Sequence, residues 1–247
     1  MKADPFVQLR LLDLQALDTA LDQLAHRRRT LPELAEIERL DGLVDGLRDG
    51  IVLAETELSD LQREQDRFER EIDQVRTRKA RDEERLGSGA ITNPKQLQDM
   101  QHEVATLTRR QSDLEDGELE VMEKLEAVQA RLDELTGRRD EHLAARAAAE
   151  QRRDASFAEI DAEVQRTTQE RAELATTFPA DLLALYEKVR AKTGGVGAAA
   201  IGQGRCGGCR LDLMNNEKSD VRAAAVDDVL RHEECGRIMV RTAESGL

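Results

Sequence analysis

The stretch IERLDGLVDGLRDGIVLAETELSDLQ, residues 37–62, decides the fold of most of the chain. Apolar residues recur in it at alternating steps of three and four, which places them on one stripe of a helix. The two series that form this stripe are Ile37, Val44, Ile51 and Leu58, and Leu40, Leu47, Ala54 and Leu61. Such a heptad register is typical of a coiled coil. The register continues to Leu86, with polar residues at Gln65, Lys79 and Asp82.

The register stops at GSGAITNPKQLQ, residues 87–98, which contains two glycines and a proline. Asn93 can cap a new helix, and Pro94 suits its first position because the missing N–H needs no partner there. Heptad spacing then resumes and extends to Leu174, with a four-residue shift near residues 139–143. Two long helices joined by a short loop fold back on each other. We therefore predict a mainly α protein, built on a long antiparallel coiled-coil helical hairpin with a tip loop at about residues 87–93.

The two ends of the chain are expected to complete this architecture. A helix near residues 5–29 precedes Pro32, which breaks the chain before the first hairpin helix. The apolar stripe of this N-terminal helix consists of Leu14, Leu17, Leu21 and Leu24. Residues 1–177 are therefore expected to form the hairpin domain. Residues 178–247 contain Cys206-Gly-Gly-Cys209 and His232-Glu-Glu-Cys235, two pairs with the spacing of zinc ligands. These residues are therefore expected to hold a short helix, packed through Tyr186 against the base of the hairpin, and a small C-terminal zinc-ribbon (β) module.

The composition excludes several classes of protein. Of the 247 residues, 36% are charged and only 2% are aromatic, which favours long helices that bury a narrow stripe over a thick globular core. The net charge of −14 disfavours wholesale binding to nucleic acid or to an anionic membrane surface. No stretch has the roughly 20 apolar residues of a membrane-spanning helix, and the N-terminal residues do not read as a signal peptide. We expect a soluble, cytoplasmic protein that does not bind membranes.

All three cysteines lie between residues 206 and 235. Cys206-Gly-Gly-Cys209 and His232-Glu-Glu-Cys235 are two pairs with the spacing of zinc knuckles, the tight turns that carry two metal ligands each. Three thiolates and one neutral imidazole would fill the tetrahedral shell of a single Zn²⁺ ion. Because such a shell leaves no open position, the predicted zinc is structural and not catalytic.

A redox-active dithiol is the alternative interpretation of the first cysteine pair. Such motifs usually begin a helix that follows a strand, which lowers the pKa of the attacking thiol. Here the pair follows the glycine-rich segment TGGVGAAAIGQG, residues 193–204. A dithiol would also leave His232 and Cys235 without a role. We therefore favour zinc, and the redox alternative stays open.

Basic residues are concentrated where the hairpin turns. Between residues 76 and 95 there are six basic and three acidic residues, in an otherwise acidic protein. An acidic partner protein could dock there, although an ordinary solvated helix end would show the same pattern. The residues that we expect to bind a partner are Arg76, Arg78, Lys79, Arg81, Arg85, Asn93, Pro94 and Lys95.

Four segments carry a resemblance to a known family. They are ITNPKQLQDMQHEV at residues 91–104, LLALYEKVR at 182–190, CGGCRLDL at 206–213 and CGRIMVR at 235–241. Over essentially its whole length the chain resembles bacterial coiled-coil proteins with a C-terminal C4-type zinc ribbon. In that family four cysteines hold the metal, and three of them map to Cys206, Cys209 and Cys235, while His232 stands at the fourth position. The resemblance implies a non-enzymatic adaptor. Some relatives are labelled as nucleic-acid-binding because of the ribbon, and others are associated with partner proteins in secretion or flagellar systems.

We expect a non-enzymatic zinc-binding adaptor or scaffold whose hairpin and ribbon bind partner proteins. Binding of RNA or DNA through the ribbon is the alternative. From Ala200 onward there are seven basic and eight acidic residues and no aromatic residue that could stack on a base, which disfavours that alternative. The sequence shows no nucleophile–base pair, phosphate-binding loop or open metal site of an enzyme. It leaves open the identity of the partner and whether two copies form a homodimer.

Overall fold

The computed structural model describes residues 1–246 and confirms the predicted mainly α fold. The helices are α1 (Pro5–Arg29), α2 (Pro32–Gly87), α3 (Pro94–Ala175), α4 (Ala180–Lys192) and α5 (Asn215–Ala223). The strands are β1 (Ala198–Gly202), β2 (Arg205–Cys206), β3 (Leu230–Arg231) and β4 (Ile238–Val240). Within residues 1–246, none of the helices combines the length and the apolar character that a membrane-spanning segment needs.

The chain divides into two compact units. The hairpin unit comprises Ala35–Glu150, and the terminal unit comprises Met1–Leu34 together with Gln151–Leu247. The domain boundary expected between residues 177 and 178 stays a prediction. In the terminal unit, α1 contacts β1 and β4, and the last part of α3 packs on α1 through Ile160 and Leu24.

The hairpin unit holds α2 and α3 together through the predicted heptad stripe. The buried residues of α2 in this unit are Ile37, Leu40, Leu47, Ile51, Ala54 and Ile72, and those of α3 are Leu107, Leu114, Val121, Val128 and Ala149. Ion pairs flank the stripe and show its register. Asp41 pairs with Arg146 at 2.6 Å, and Glu71 pairs with Arg110 at 3.1 Å. A later residue of α2 thus pairs with an earlier residue of α3. The two helices are therefore antiparallel, as predicted.

Asn93 begins the return helix in the way that the sequence indicates. Its Oδ1 atom accepts a hydrogen bond from the backbone N–H of Lys95 at 2.9 Å, and α3 starts at Pro94. The side chain thus satisfies one of the free N–H groups at the start of a helix.

The terminal unit is built around a four-stranded sheet in the order β2-β1-β4-β3. β1 pairs in parallel with β4, and the two outer pairs are antiparallel. Alternate residues of a strand point to opposite faces, and this sheet buries both. One face packs on α1 and α4 through Ala198, Ile238 and Val240. The other packs on α5 and the first knuckle, through Ala199, Ile201, Cys206, Leu213, Val221 and Met239.

Helix α1 also buries polar side chains, which the leucine pattern did not predict. Gln15 and Asp18 are 7% and 1% exposed. Gln15 donates from Nε2 to the carbonyl of Gly195 at 2.9 Å and accepts the N–H of Gly197 at 2.6 Å. Asp18 pairs with Arg171 of α3. These contacts fix α1 to α3 and to the segment that leads into β1, and so position the sheet that carries the cysteines.

Candidate metal centre

The structure brings all four predicted metal ligands together. Cys206 ends β2 and Cys209 follows in the turn, whereas His232 and Cys235 lie in the connection between β3 and β4. One ligand atom from each residue lies within 4.8 Å of all the others. Because β1 lies between β2 and β4, the sheet holds the two knuckles side by side at one end.

The spacing of the four ligand atoms fits a tetrahedral zinc ion. With Zn–S near 2.3 Å and Zn–N near 2.0–2.1 Å, a tetrahedron has S···S edges of about 3.8 Å and S···N edges of about 3.5 Å. The Cys206 and Cys235 sulfurs are 3.9 Å apart. Nδ1 of His232 lies 3.5 Å from the sulfur of Cys209 and 3.1 Å from that of Cys235. These three separations lie within a few tenths of an ångström of tetrahedral edges, and all four ligand atoms lie within 4.8 Å of one another, so the cluster fits a tetrahedral ion.

Close neighbours explain both glycines of the first knuckle. A Cβ atom at Gly207 would lie 2.8 Å from the carbonyl oxygen of Ala200, and one at Gly208 would overlap the side chain of Arg237. Gly207 also donates its N–H to the Ala200 carbonyl at 2.9 Å. The first knuckle therefore packs directly on β1. The Cys206 side chain is buried in the cluster on the face of the sheet that packs on α5.

Two of the thiols have opposite pKa shifts, and each shift has a local cause. Burial raises the pKa of Cys206 to about 11, although backbone N–H groups of Cys209 and Gly208 donate towards its sulfur. Burial also acts to raise the pKa of Cys235. Hydrogen bonds, led by the one from the backbone N–H of Arg237, outweigh it, and the pKa falls to about 6. The backbone N–H groups that lower these thiol pKa values would also stabilise the thiolates when they bind a metal.

His232 turns its two ring nitrogens to different neighbours. Nδ1 faces the sulfurs, and Nε2 lies 3.6 Å from Oε2 of Glu217 on α5, within ion-pair distance but longer than a hydrogen bond. Glu217 is 4% exposed, and its Oε1 accepts the backbone N–H of Glu233 at 3.0 Å. Glu217 is not among the predicted site residues. The available signal was its position one turn before Val221, the other buried residue of α5.

The donor set indicates a structural zinc site. Three sulfurs and one imidazole nitrogen match the ligands that zinc takes in closed tetrahedral sites, and His232 and Cys206 are both fully buried. When bound, zinc would cross-link the two knuckles through Cys206, Cys209, His232 and Cys235. A single structural Zn²⁺ ion thus accounts for every cysteine of the chain.

The predicted partner-binding residues lie at the turn of the hairpin, but the structure gives them different roles. Arg76 pairs with Glu115 at 2.5 Å, Arg78 pairs with Glu103 at 2.6 Å, and Lys79 contacts Gln111 at 3.5 Å. Asn93 and Pro94 start α3. The side chains of Arg81, Arg85 and Lys95 make no ion pair with another residue in the range 1–246.

Comparison with known proteins agrees with this architecture. Residues 14–194 match the family model of the CT398-like coiled coil hairpin domain, and residues 205–239 match that of the C4-type zinc ribbon domain. An uncharacterized protein of Mycobacterium tuberculosis is 40% identical over 241 residues, which cover 98% of both chains.

Solved structures show the same fold. A protein from Mycobacterium smegmatis has a TM-score of 0.85 at 37% identity, over 98% of this chain and 100% of that one. CT398 from Chlamydia trachomatis has a TM-score of 0.65 at 19% identity, over 96% and 98% of the two chains, and shows likeness of fold alone. The chain therefore belongs to the family of CT398-like coiled-coil hairpin proteins and carries a C4-type zinc ribbon in which His232 occupies one ligand position.

Proposed function

We propose that the protein is a non-enzymatic, cytoplasmic adaptor whose hairpin and zinc ribbon bind partner proteins. The two matched families are a coiled-coil hairpin and a zinc ribbon, and neither is a catalytic family. The four metal ligands form a closed set, which suits a structural ion. The observation that carries the proposal is an open groove at the turn of the hairpin.

This tip groove has a volume of about 510 Å³ and is formed by the end of α2, the turn and the start of α3. Its lining consists of Arg78, Asp82, Arg85, Ala90, Ile91, Gln96, Asp99, Met100 and Glu103. Ile91 and Met100 supply apolar surface. Arg85 supplies a guanidinium group that has no ion pair within the described residues. Two of the predicted partner-binding residues, Arg78 and Arg85, thus lie in one concave surface.

The lining defines the kind of partner that the groove fits. Arg78 already forms an ion pair with Glu103. Arg85 is therefore the residue that is available for a charge-assisted hydrogen bond to a carboxylate. Asp82 and Asp99 also line the groove, so a partner's carboxylate must reach Arg85 directly. Arg81 and Lys95 supply further positive charge close to Arg85 in the chain. We infer a protein segment that places an apolar side chain beside an aspartate or glutamate.

Site-specific photo-crosslinking in the native organism tests this proposal. A photoreactive residue at Ile91 should form an adduct with a protein, and Arg85→Glu should reduce that adduct strongly. The matched control places the same photoreactive residue at Glu126, in the middle of α3, where no protein adduct is expected. If the Ile91 adduct is absent, or is unchanged by Arg85→Glu, the tip groove is not the docking site.

Nucleic-acid binding by the ribbon is less well supported. Arg205 is paired with Asp212 at 2.7 Å, and Arg237 donates to the carbonyls of Val196 and Thr193. Arg231 donates to the carbonyl of Gly236 at 3.0 Å. Three of the arginines near the knuckles are thus engaged within the protein and do not form a free basic face. Adducts sensitive to nuclease, formed by a photoreactive residue at Leu211, would favour this alternative over the adaptor.

A further inference from the structure

Replacing a thiolate by histidine creates a requirement that cysteine does not have. A thiolate can offer any lone pair to a metal, whereas a neutral imidazole must carry its proton on the nitrogen that faces away from it. In this protein Nδ1 of His232 faces the three sulfurs, at 3.1 Å from Cys235 and 3.5 Å from Cys209. The proton must therefore reside on Nε2.

The carboxylate of Glu217 is placed to accept a hydrogen bond from the proton on Nε2. Nε2 is buried and has no hydrogen-bond partner within the described residues, and Oε2 of Glu217 lies 3.6 Å away. A buried N–H group without a partner is costly, and a shift of a few tenths of an ångström closes this gap. Metal-bound histidines usually donate their other ring N–H to such an acceptor.

Helix α5 fixes the position of this carboxylate. Val221, one turn after Glu217, is buried in the same cluster as Cys206 and Met239. The other carboxylate oxygen, Oε1, accepts the N–H of Glu233, inside the second knuckle. Glu217 therefore contacts both the imidazole of His232 and the backbone beside it.

We propose that Glu217 is a positioning residue that makes histidine an effective fourth zinc ligand in this ribbon. It holds the ring with the proton on Nε2 and the lone pair of Nδ1 directed at the metal position. It also restores the local negative charge, since three thiolates plus this carboxylate equal the four thiolates of a C4 site in charge. This role concerns zinc binding alone, so it does not depend on which partner protein binds.

The decisive experiment is a double-mutant cycle on the full chain, read out as zinc affinity by competition with a chelator of known affinity. In the native background, Glu217→Gln should weaken zinc binding by about 10- to 100-fold. A carboxamide has only one acceptor oxygen, so it cannot serve both His232 and the N–H of Glu233. In the His232→Cys background the same change should alter the affinity less than about threefold, because a thiolate needs no proton acceptor. Glu234→Gln, an exposed carboxylate in the same knuckle, is the charge-matched control and should leave the affinity unchanged.

Nitrogen NMR of the zinc-loaded protein supplies a second readout. It should show His232 bound through Nδ1 with the proton on Nε2, and that proton should exchange with water faster in Glu217→Gln. An equal loss of affinity in both backgrounds would mean that Glu217 only supports the knuckle, and would overturn the proposal. No loss in the native background, or a metal bound through Nε2, would overturn it as well.

Discussion

The hydroxyl of Tyr186 on α4 donates a hydrogen bond to the carboxylate of Asp18 on α1, with 2.6 Å between Tyr186 Oη and Asp18 Oδ2. Both side chains are buried, at 0% and 1% exposure. Arg171 of α3 and Arg190 of α4 supply the opposite charge, at 2.6 Å and 3.4 Å from the carboxylate. A single aspartate thus joins three helices in the terminal unit.

Removing the charge of Asp18 should destabilise the terminal unit. Asp18→Asn leaves two arginines facing a neutral group, and the loss should be about 3 kcal/mol in the free energy of unfolding. Asp22→Asn is the matched control, because Asp22 pairs with Arg190 at an exposed position and should cost less than about 1 kcal/mol. Urea unfolding of the zinc-loaded protein measures both. Equal effects of the two substitutions would contradict this account of the cluster.

Tyr186 should make stability depend on pH at the alkaline end. Burial, followed by the hydrogen bond and the charge of Asp18, raises the pKa of Tyr186 in the folded protein. In the unfolded chain tyrosine ionises near pH 10, so the stabilisation is complete below that pH and is lost as the pH rises above it. Tyr186 is the only tyrosine, so tyrosinate absorbance reports on it alone.

We expect no tyrosinate absorbance from the folded protein until it unfolds, and a shallower alkaline loss of stability in Tyr186→Phe. The same substitution should cost about 2 kcal/mol near neutral pH, because it removes a hydrogen bond to a charged group. That cost should shrink when Asp18 is already replaced by asparagine. A native protein that titrates near pH 10 would show that the hydroxyl is not held as described.

Two glycines of α3 should respond oppositely to alanine. A Cβ at Gly137 would have no atom within 4 Å, so Gly137→Ala should raise the free energy of unfolding by about 0.5–1 kcal/mol. A Cβ at Gly117 would lie 2.9 Å from Cε1 of Phe68 on α2, and the ring must move. Gly117→Ala should therefore lower stability, unless Phe68→Leu first removes the contact. Thermal unfolding of the unsubstituted protein, the three single variants and the Phe68→Leu/Gly117→Ala double variant checks this, and a stabilising Gly117→Ala on its own would refute the packing described.

Zinc removal should affect the knuckle face of the sheet and leave the hairpin unit helical. The metal links the two knuckles over the cluster that contains Ile201, Leu213, Val221 and Met239, and structural zinc commonly supplies folding free energy to small ribbons. Hydrogen exchange after chelation should show lost protection around that cluster and none lost in residues 35–150. Melting of α2 and α3 on chelation, seen by circular dichroism, would contradict this division.

The sequence was sufficient for the repetitive part of the fold and for the metal ligands. The heptads around Ile51 and Leu107 predicted the antiparallel pairing because the same period repeats along two long segments. The spacing of Cys206, Cys209, His232 and Cys235 predicted their convergence because a tight turn brings two ligands to one ion. The heptad period and the ligand spacing can each be recognised within short segments of the sequence.

The remaining features depend on contacts between distant segments. Val229 donates its N–H to the carbonyl of Met1 at 3.0 Å, which joins the N-terminus to the ribbon across more than two hundred residues. Asp18 and Glu217 look like ordinary surface carboxylates in the sequence. Their burial follows from neighbours supplied by α3, α4 and the second knuckle, which no local pattern identifies.

The zinc content of the native protein, measured by intact mass spectrometry and elemental analysis, tests the central claim most directly. We predict one zinc ion per chain, abolished in Cys206→Ser and weakened or lost in His232→Ala. Protein prepared without chelators that contains no zinc, and in which Cys206 and Cys209 oxidise and reduce reversibly, would contradict the claim and support the redox dithiol instead.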